Sequence, residues 1–487
     1  MSNSKIQTSL RESKGARWLA LVLLASAMFF GYIFMDILSP LQEMLQNQLS
    51  WDPNAYGHYA GSETFLNVFV FFLIFAGIIL DKMGVRYTAI LSGSVMLAGA
   101  AINWFAVSSL FTGTALESFI TNNLNIPDQW WNITPFYQGM PASAKMSAIG
   151  FMLFGCGVEM AGITVSRGIV KWFKGKEMAL AMGVEMAIAR VGVAVVMLGS
   201  PVLANITPIS VSRPVAVAVI LLCIGLIAFI SYAFMDKKLE KQLGENDEEK
   251  DEPFKVKDIR FILGSKVFWL VALLCVLYYS AIFPFQKYAI NMLQCNLNFS
   301  AEKAGWVFFV FPLGAAAITP FLGNFLDKKG KGATMLIFGA LLMIVCHLSF
   351  AFILPATKSV FVAYAGIILL GISFSLVPAA LWPSVPKLVD NRLLGSAYAL
   401  IFWIQNIGLY AFPMIIGSVL KSSNPGVTDP LKYNYTVPML VFASLGVLAL
   451  ILGLLLKVED RRKHYHLEEP NLKVTPEEAE VVNEENM

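Results

Sequence analysis

The chain has 487 residues, 57% hydrophobic and 14% charged, whereas ordinary soluble domains are roughly 45–50% apolar and about 25% charged. That composition excludes a conventional water-soluble globule, and a net charge of +3 supplies no bulk basic surface for nucleic acid. The five cysteines (Cys156, Cys223, Cys275, Cys295 and Cys346) lack metal-ligand spacing, so neither a metal site nor a disulfide framework is expected, and no cofactor.

A bilayer core of about 30 Å needs about 20 helical residues. On that rule twelve spans are expected, near 17–45, 60–80, 88–110, 145–170, 178–204, 213–235, 267–294, 303–326, 333–355, 359–388, 394–420 and 436–457. The first follows Lys5, Arg11, Lys14 and Arg17, but its apolar run is longer than a secretory signal and lacks a small-residue cleavage site, so it is expected to remain as a membrane helix. The stretch containing GENDEEKDEPFKVKD is too hydrophilic to span and reads as a linker between two sets of six helices. The expected division is therefore 1–236, a linker over 237–266, 267–457, and a tail over 458–487 of acidic, disorder-like composition. An even number of spans puts both ends on one side. Only six of the 36 lysines and arginines (Lys145, Arg213, Lys303, Lys358, Lys421 and Lys432) fall in loops on the other side, and two, Arg190 and Lys287, fall within the membrane, so both ends are expected in the cytoplasm. The fold class is an all-α membrane protein of twelve helices in two pseudo-symmetric halves.

An internal repeat supports the division. GIILDKMG begins at Gly77 and GNFLDKKG at Gly323, each after the second helix of its half, so Gly77, Leu80, Asp81 and Gly84 recur as Gly323, Leu326, Asp327 and Gly330. Repeated halves with a site between them mark many membrane carriers.

GIILDKMGVR resembles the signature loop of the major facilitator superfamily. The resemblance implies that Asp81 and Arg86 latch the cytoplasmic gate; in the second copy Gly332 stands in the place of Arg86, which implies a weaker latch around Asp327. FGCGVEM (154–160), WFKGKE (172–177), ARVG (189–192), YYSAIFPF (278–285), ALWPSV (380–385) and GSAYALIFWIQNIGL (395–409) are similar to the lysosomal dipeptide transporters of that superfamily and their bacterial relatives. Glu185 stands where the resemblance implies an uncharged residue, and the tails carry no obvious acidic dileucine signal, so a bacterial inner membrane is the expected home rather than a lysosome.

Arg190 lies fourteen residues beyond Lys176, about 21 Å at the helical rise, and Glu159 twelve residues before Lys171, about 18 Å. Both are near the bilayer middle on successive helices, where a charge costs on the order of 2.5–3.5 kcal/mol and usually faces a bundle interior or aqueous cavity. Two readings stand. Arg190 takes a carboxylate through its bidentate fork while Glu159 takes an ammonium, or the two form a structural ion pair between helices. The dipeptide-transporter resemblance implies the first. Glu185, about 140° around the helix from Arg190, lines the cavity and carries a proton, or belongs to a gate salt bridge. Asp36 is about 27 Å along helix 1 and attracts an amine or proton, or closes an outer gate; Lys287, similarly far along helix 7, lines the cavity or snorkels to the interface.

Uncharged candidates come from helices that the resemblance implies line the cavity. Tyr278 and Tyr279 precede the kink expected at Pro284 and offer ring faces and hydroxyls, or simply pack. Gln405 and Asn406 are near mid-depth on helix 11, where amides both donate and accept. Trp382 and Pro383 fall toward the cytoplasmic end of helix 10 and are expected at an inner gate. The expectation is a monomeric carrier for dipeptides or similar zwitterions, working by alternating access, with protons as a candidate co-substrate. Alternatives are a carrier of organic anions such as sugar acids, held by Arg190 and Lys287, and a non-transporting sensor with this fold. An enzyme is not expected, since no Ser/His, His/Asp or metal-ligand cluster occurs.

Overall fold

A computed structural model of the chain describes residues 10–126, 134, 136–243, 256–389 and 393–470. Among the described residues, eleven helices are long and apolar enough to cross a bilayer, the state expected where only internal hydrogen bonds can satisfy the backbone. α1 is Lys14–Met35, shorter than the expected 17–45 because the chain leaves the α-helix at Asp36 and continues through the 3₁₀ turn Ser39–Leu41 and the helix Gln42–Leu49.

The second span differs most from expectation. α2 runs over 53–83 in three pieces: Pro53–Ser62, Phe65–Phe69 and the head of Phe72–Val107. Asp52 caps its start, accepting from the Ala55 N–H at 2.8 Å. At Gly84 (φ 73°, ψ 168°) the backbone leaves the helix, and α3 follows over 85–107. The Asn103 amide donates to the Tyr59 hydroxyl at 2.9 Å, which sets 59 and 103 level on neighbouring helices and makes Gly84 the bend of a hairpin. Twelve traverses result.

The rest of the first half is α4 (Ala142–Phe173), α5 (Met178–Asn205) and α6 (Ser212–Leu243). The second half is α7 (Lys266–Leu297), α8 (Ala301–Lys329), α9 (Gly332–Leu348), α10 (Val360–Leu388), α11 (Leu394–Ser422) and α12 (Thr436–Lys463). The expected linker begins later than 237, because α6 continues to Leu243, and contains the short helix Val256–Leu263; 244–255 lies outside the described residues. The expected tail begins late as well: α12 continues to Lys463 and an ordered strap follows to 470, with 471–487 outside the described residues. The chain ends and the linker share one face, called the linker face below; the opposite face is the far face.

The halves meet along α2 with α11, α5 with α8 and the 3₁₀ turn Ser39–Leu41 with α7. On α2 and α11 the approach is backbone to backbone. A Cβ at Gly57 would meet the Pro413 carbonyl oxygen, one at Gly61 the Tyr410 carbonyl oxygen, and one at Gly417 the Pro53 carbonyl oxygen. Only glycine permits that spacing.

Candidate functional site

Far-face closure is built from side chains as well as glycines. The Lys287 ammonium on α7 lies 2.9 Å from Asp36 Oδ1 and 3.9 Å from Glu63 Oε2, and donates to the Met35 carbonyl at 2.8 Å. Gln286 donates to Asp36 Oδ2 at 2.6 Å and Ser39 to Oδ1 at 3.0 Å, while the Gln42 amide and Tyr56 hydroxyl donate to the Lys287 carbonyl at 2.6 and 3.1 Å. Asp36 is 1% exposed and the Lys287 side chain 10%. Each of these residues has two readings, and the contacts separate them. Lys287 does not snorkel to the interface, because two carboxylates and a carbonyl compensate its charge inside the protein. Asp36 does not face a substrate cavity but sits in the seal, with its oxygens already engaged.

The seal has a limit. Among the described residues, every hydrogen bond and ion pair joining the two halves lies at or beyond the stacked pair Phe71–Trp403 (5.1 Å, 23°) toward the far face. Examples are Ser418 to Asn54 at 2.7 Å and Lys421 to Asp52 at 2.6 Å. The geometry is that of a carrier closed on its far face.

Inside that seal the mid-membrane charges gather. Glu159 on α4 is half-buried, with the Asn406 side chain of α11 beside it. Tyr32 of α1 lies within electrostatic reach of Glu159, Glu185, Arg190 and Tyr279. Arg190 makes no ion pair or hydrogen bond among the described residues; its guanidinium carbon sits 4.4 Å from the centroid of the Phe374 ring on α10. The expected alternative of a Glu159–Arg190 structural pair therefore has no counterpart here. Glu185, one to two turns nearer the linker face, is half-buried.

α10 supplies the aromatic wall. It is interrupted by the π-helical turn Val377–Leu381 between Val360–Leu376 and Trp382–Leu388, an insertion of the kind often found where helices carry function. Trp382 Nε1–H donates to the Tyr279 hydroxyl at 3.2 Å, and its ring stacks on Phe402 at 4.8 Å. Tyr279 stacks on Phe283 at 5.4 Å.

The structure separates other expected partners. Tyr278 points toward α9: it is fully buried and donates to the Leu336 carbonyl there, so its packing reading replaces the substrate one, one residue's turn of about 100° putting it on a different face from Tyr279. Gln405 is buried and accepts from the Cys275 thiol at 3.3 Å. Pro383 is exposed near the linker end of α10. Asp81 pairs with Arg167 of α4 at 2.6 Å, and Arg86 with Glu240 of α6 at 2.6 Å; Asp327, at the end of α8, lies within electrostatic reach of Lys387. Sequence reasoning missed Glu63. The signal was a carboxylate three residues inside the second span's expected start at 60; the helix begins seven residues before that start, at Pro53.

Two repeated six-helix halves, a sealed far face and mid-membrane charges gathered between the halves define a polytopic carrier of small solutes. The chain belongs to the Major Facilitator Superfamily, whose family model matches residues 24–413 and 286–480. It is 26% identical over 420 residues to the lysosomal dipeptide transporter MFSD1 of Homo sapiens, covering 83% of this chain and 80% of that one. Among solved structures, the nucleoside transporter NupG aligns with a TM-score of 0.67 at 13% identity, over 90% of this chain and 99% of that one. A bacterial homologue of the human lysosomal transporter Spinster, inward-facing and unoccupied, aligns with a TM-score of 0.67 at 14% identity, over 92% and 98%. The chain is a membrane transporter of this superfamily, built for alternating access.

Proposed function

We propose that the protein carries dipeptides or similar small zwitterions, with the linker face in the cytoplasm. The observation that carries this reading is an arginine without a counter-charge, Arg190, sharing a cavity with a carboxylate, Glu159, to which it is not paired. A zwitterion answers both: its carboxylate meets the guanidinium fork and its ammonium meets Glu159, with Asn406 alongside to bind a peptide group. Dipeptide transport by the MFSD1 relatives supports the choice, and the distribution of lysine and arginine supports the orientation. The rival reading as an organic-anion carrier needs Lys287 as a second free cation, and that ammonium is already held by Asp36 and Glu63. Glu185 is the cavity carboxylate left over in this scheme and is its candidate proton carrier.

The test is thermal stabilisation of the purified protein by a dipeptide panel beside single amino acids and sugar acids, in wild type and Arg190→Ala. A ligand at a hundred times its Kd stabilises the folded state by about 2.7 kcal/mol. Stabilisation by dipeptides, abolished in Arg190→Ala at unchanged folded yield, is the expected result. Stabilisation by sugar acids alone would replace the reading with the anion carrier.

A further inference from the structure

An arginine at mid-membrane depth with no anion beside it needs something else to hold it. In this protein that something is an aromatic face contributed by the other half. Arg190 belongs to α5 of the first half and Phe374 to α10 of the second, and the guanidinium carbon lies 4.4 Å from the ring centroid, well inside the range of cation–π attraction. The Phe374 ring is itself locked. It meets Phe283 edge-on at 5.5 Å (89°) and Tyr279 at 6.4 Å (82°), and stacks against Phe311 at 5.9 Å (25°). Phe374 is buried, and the π-helical turn that begins at Val377 fixes the helix just beyond it.

An aromatic face differs from a carboxylate in one useful respect. It attracts the delocalised positive charge through the flat of the guanidinium but uses none of its N–H donors. The fork is thereby held in place with its hydrogen-bonding capacity unspent, whereas an ion pair would have to be broken before a ligand carboxylate could enter.

We infer that Phe374 is a positioning residue that holds Arg190 unpaired and open to the cavity, and so sets the preference for ligands bearing a free carboxylate. The inference deepens the zwitterion reading and rests on it. Because ring and arginine belong to different halves, the hold exists only while α5 and α10 are apposed, which ties carboxylate recognition to the conformation of the carrier.

The experiment measures binding of alanyl-alanine and of its C-terminal amide to the full-length purified protein, in wild type, Arg190→Gln, Phe374→Leu and Phe374→Tyr. Wild type is expected to prefer the free acid, and Arg190→Gln to lose that preference. Phe374→Leu should weaken binding of the acid roughly tenfold and leave the amide unchanged, while Phe374→Tyr, which keeps a ring face, restores the wild-type ratio. A purely structural role would weaken both probes equally or neither, and either result overturns the inference. If Arg190→Gln erases the preference and Phe374→Leu keeps it, the inference fails and the zwitterion reading stands; a wild type that binds neither probe overturns both. Should Phe374→Leu fail to fold, Phe374→Met also lacks the ring and the same ratios decide.

Discussion

In the first half the turn at Gly84 is tied down by side chains of its own bundle, and in the second the equivalent turn at Gly330 is tied down by the end of the chain. Both glycines take a left-handed φ, 73° and 72°. Around Gly84, Asp81 pairs with Arg167, Arg86 with Glu240, and Lys171 with both Glu240 and the fully buried Asp236, at 2.6 to 3.1 Å. Trp172 and Tyr232 donate to the other oxygen of Asp236. Around Gly330, where Gly332 replaces the arginine, the N–H groups of Lys331 and Gly332 donate to the carbonyls of Glu468 and Leu467 at 2.9 and 3.0 Å. The Glu468 carboxylate caps α9 through the Thr334 N–H and hydroxyl at 2.8 and 2.7 Å, and Lys387 donates to the carbonyls of His466 and Glu469. Backbone shape is what the two copies share. The means of holding it differ: a side-chain charge network on one side, a peptide strap on the other.

The comparison breaks most visibly at Lys171. Lys171→Ala leaves Asp236 buried beside Glu240 without a cation, and about 3 kcal/mol of stability should go with it, read as a lowered unfolding midpoint in detergent; an unchanged midpoint would show the network to be dispensable. Glu468→Ala removes a helix cap at the corresponding place and should cost about 1 kcal/mol, with faster hydrogen exchange of the amides over 331–335 than in wild type. If exchange there is unaltered, the strap is not what holds the turn. The smallest effect concerns the first half's own terminal segment, which docks through Glu12 to Lys176 at 2.7 Å. The Lys176 ammonium holds the Glu12 carboxyl below its ordinary value. A carboxylate with a depressed pKa contributes above its unfolded pKa, and loses that contribution as pH falls through the folded one. Docking of the segment should therefore weaken only on the acid side of about pH 4, and Glu12→Gln should flatten that limb of a pH titration of proteolysis at the N-terminus.

The repeat and the twelve traverses were legible in the sequence because apolar length and a glycine-marked turn are local signals. Mid-membrane charges were legible for the same reason: Glu159 and Arg190 interrupt apolar runs, and helical rise gives their depth. Partners were not. Asp36 and Lys287 are 251 positions apart, and their pairing depends on how α1 meets α7, which no local pattern records. The Arg190–Phe374 contact is hidden in the same way, since a phenylalanine in a membrane helix is unremarked until its neighbour is known. Tyr278 and Tyr279 looked equivalent in the sequence, and a single step of the helix sent one toward α9 and the other to the cavity wall. Glu63 was obscured by misplacing the start of a helix that is broken twice.

Three glycines of the α2–α11 contact, Gly57, Gly61 and Gly417, lie against carbonyl oxygens, while its inner end carries interlocked rings, Phe65 and Phe69 against Tyr410 and Phe71 on Trp403. The glycine stretch is a smooth bearing, and the ring cluster beside it is a catch that has to let go before one half can roll over the other. The resistance to opening the far face is then shared between that cluster and a few discrete charges, Lys287 with Asp36 and Glu63, and Lys421 with Asp52. A carrier arranged in this way has a turnover rate adjustable by single substitutions in its seal, with its binding cavity left untouched.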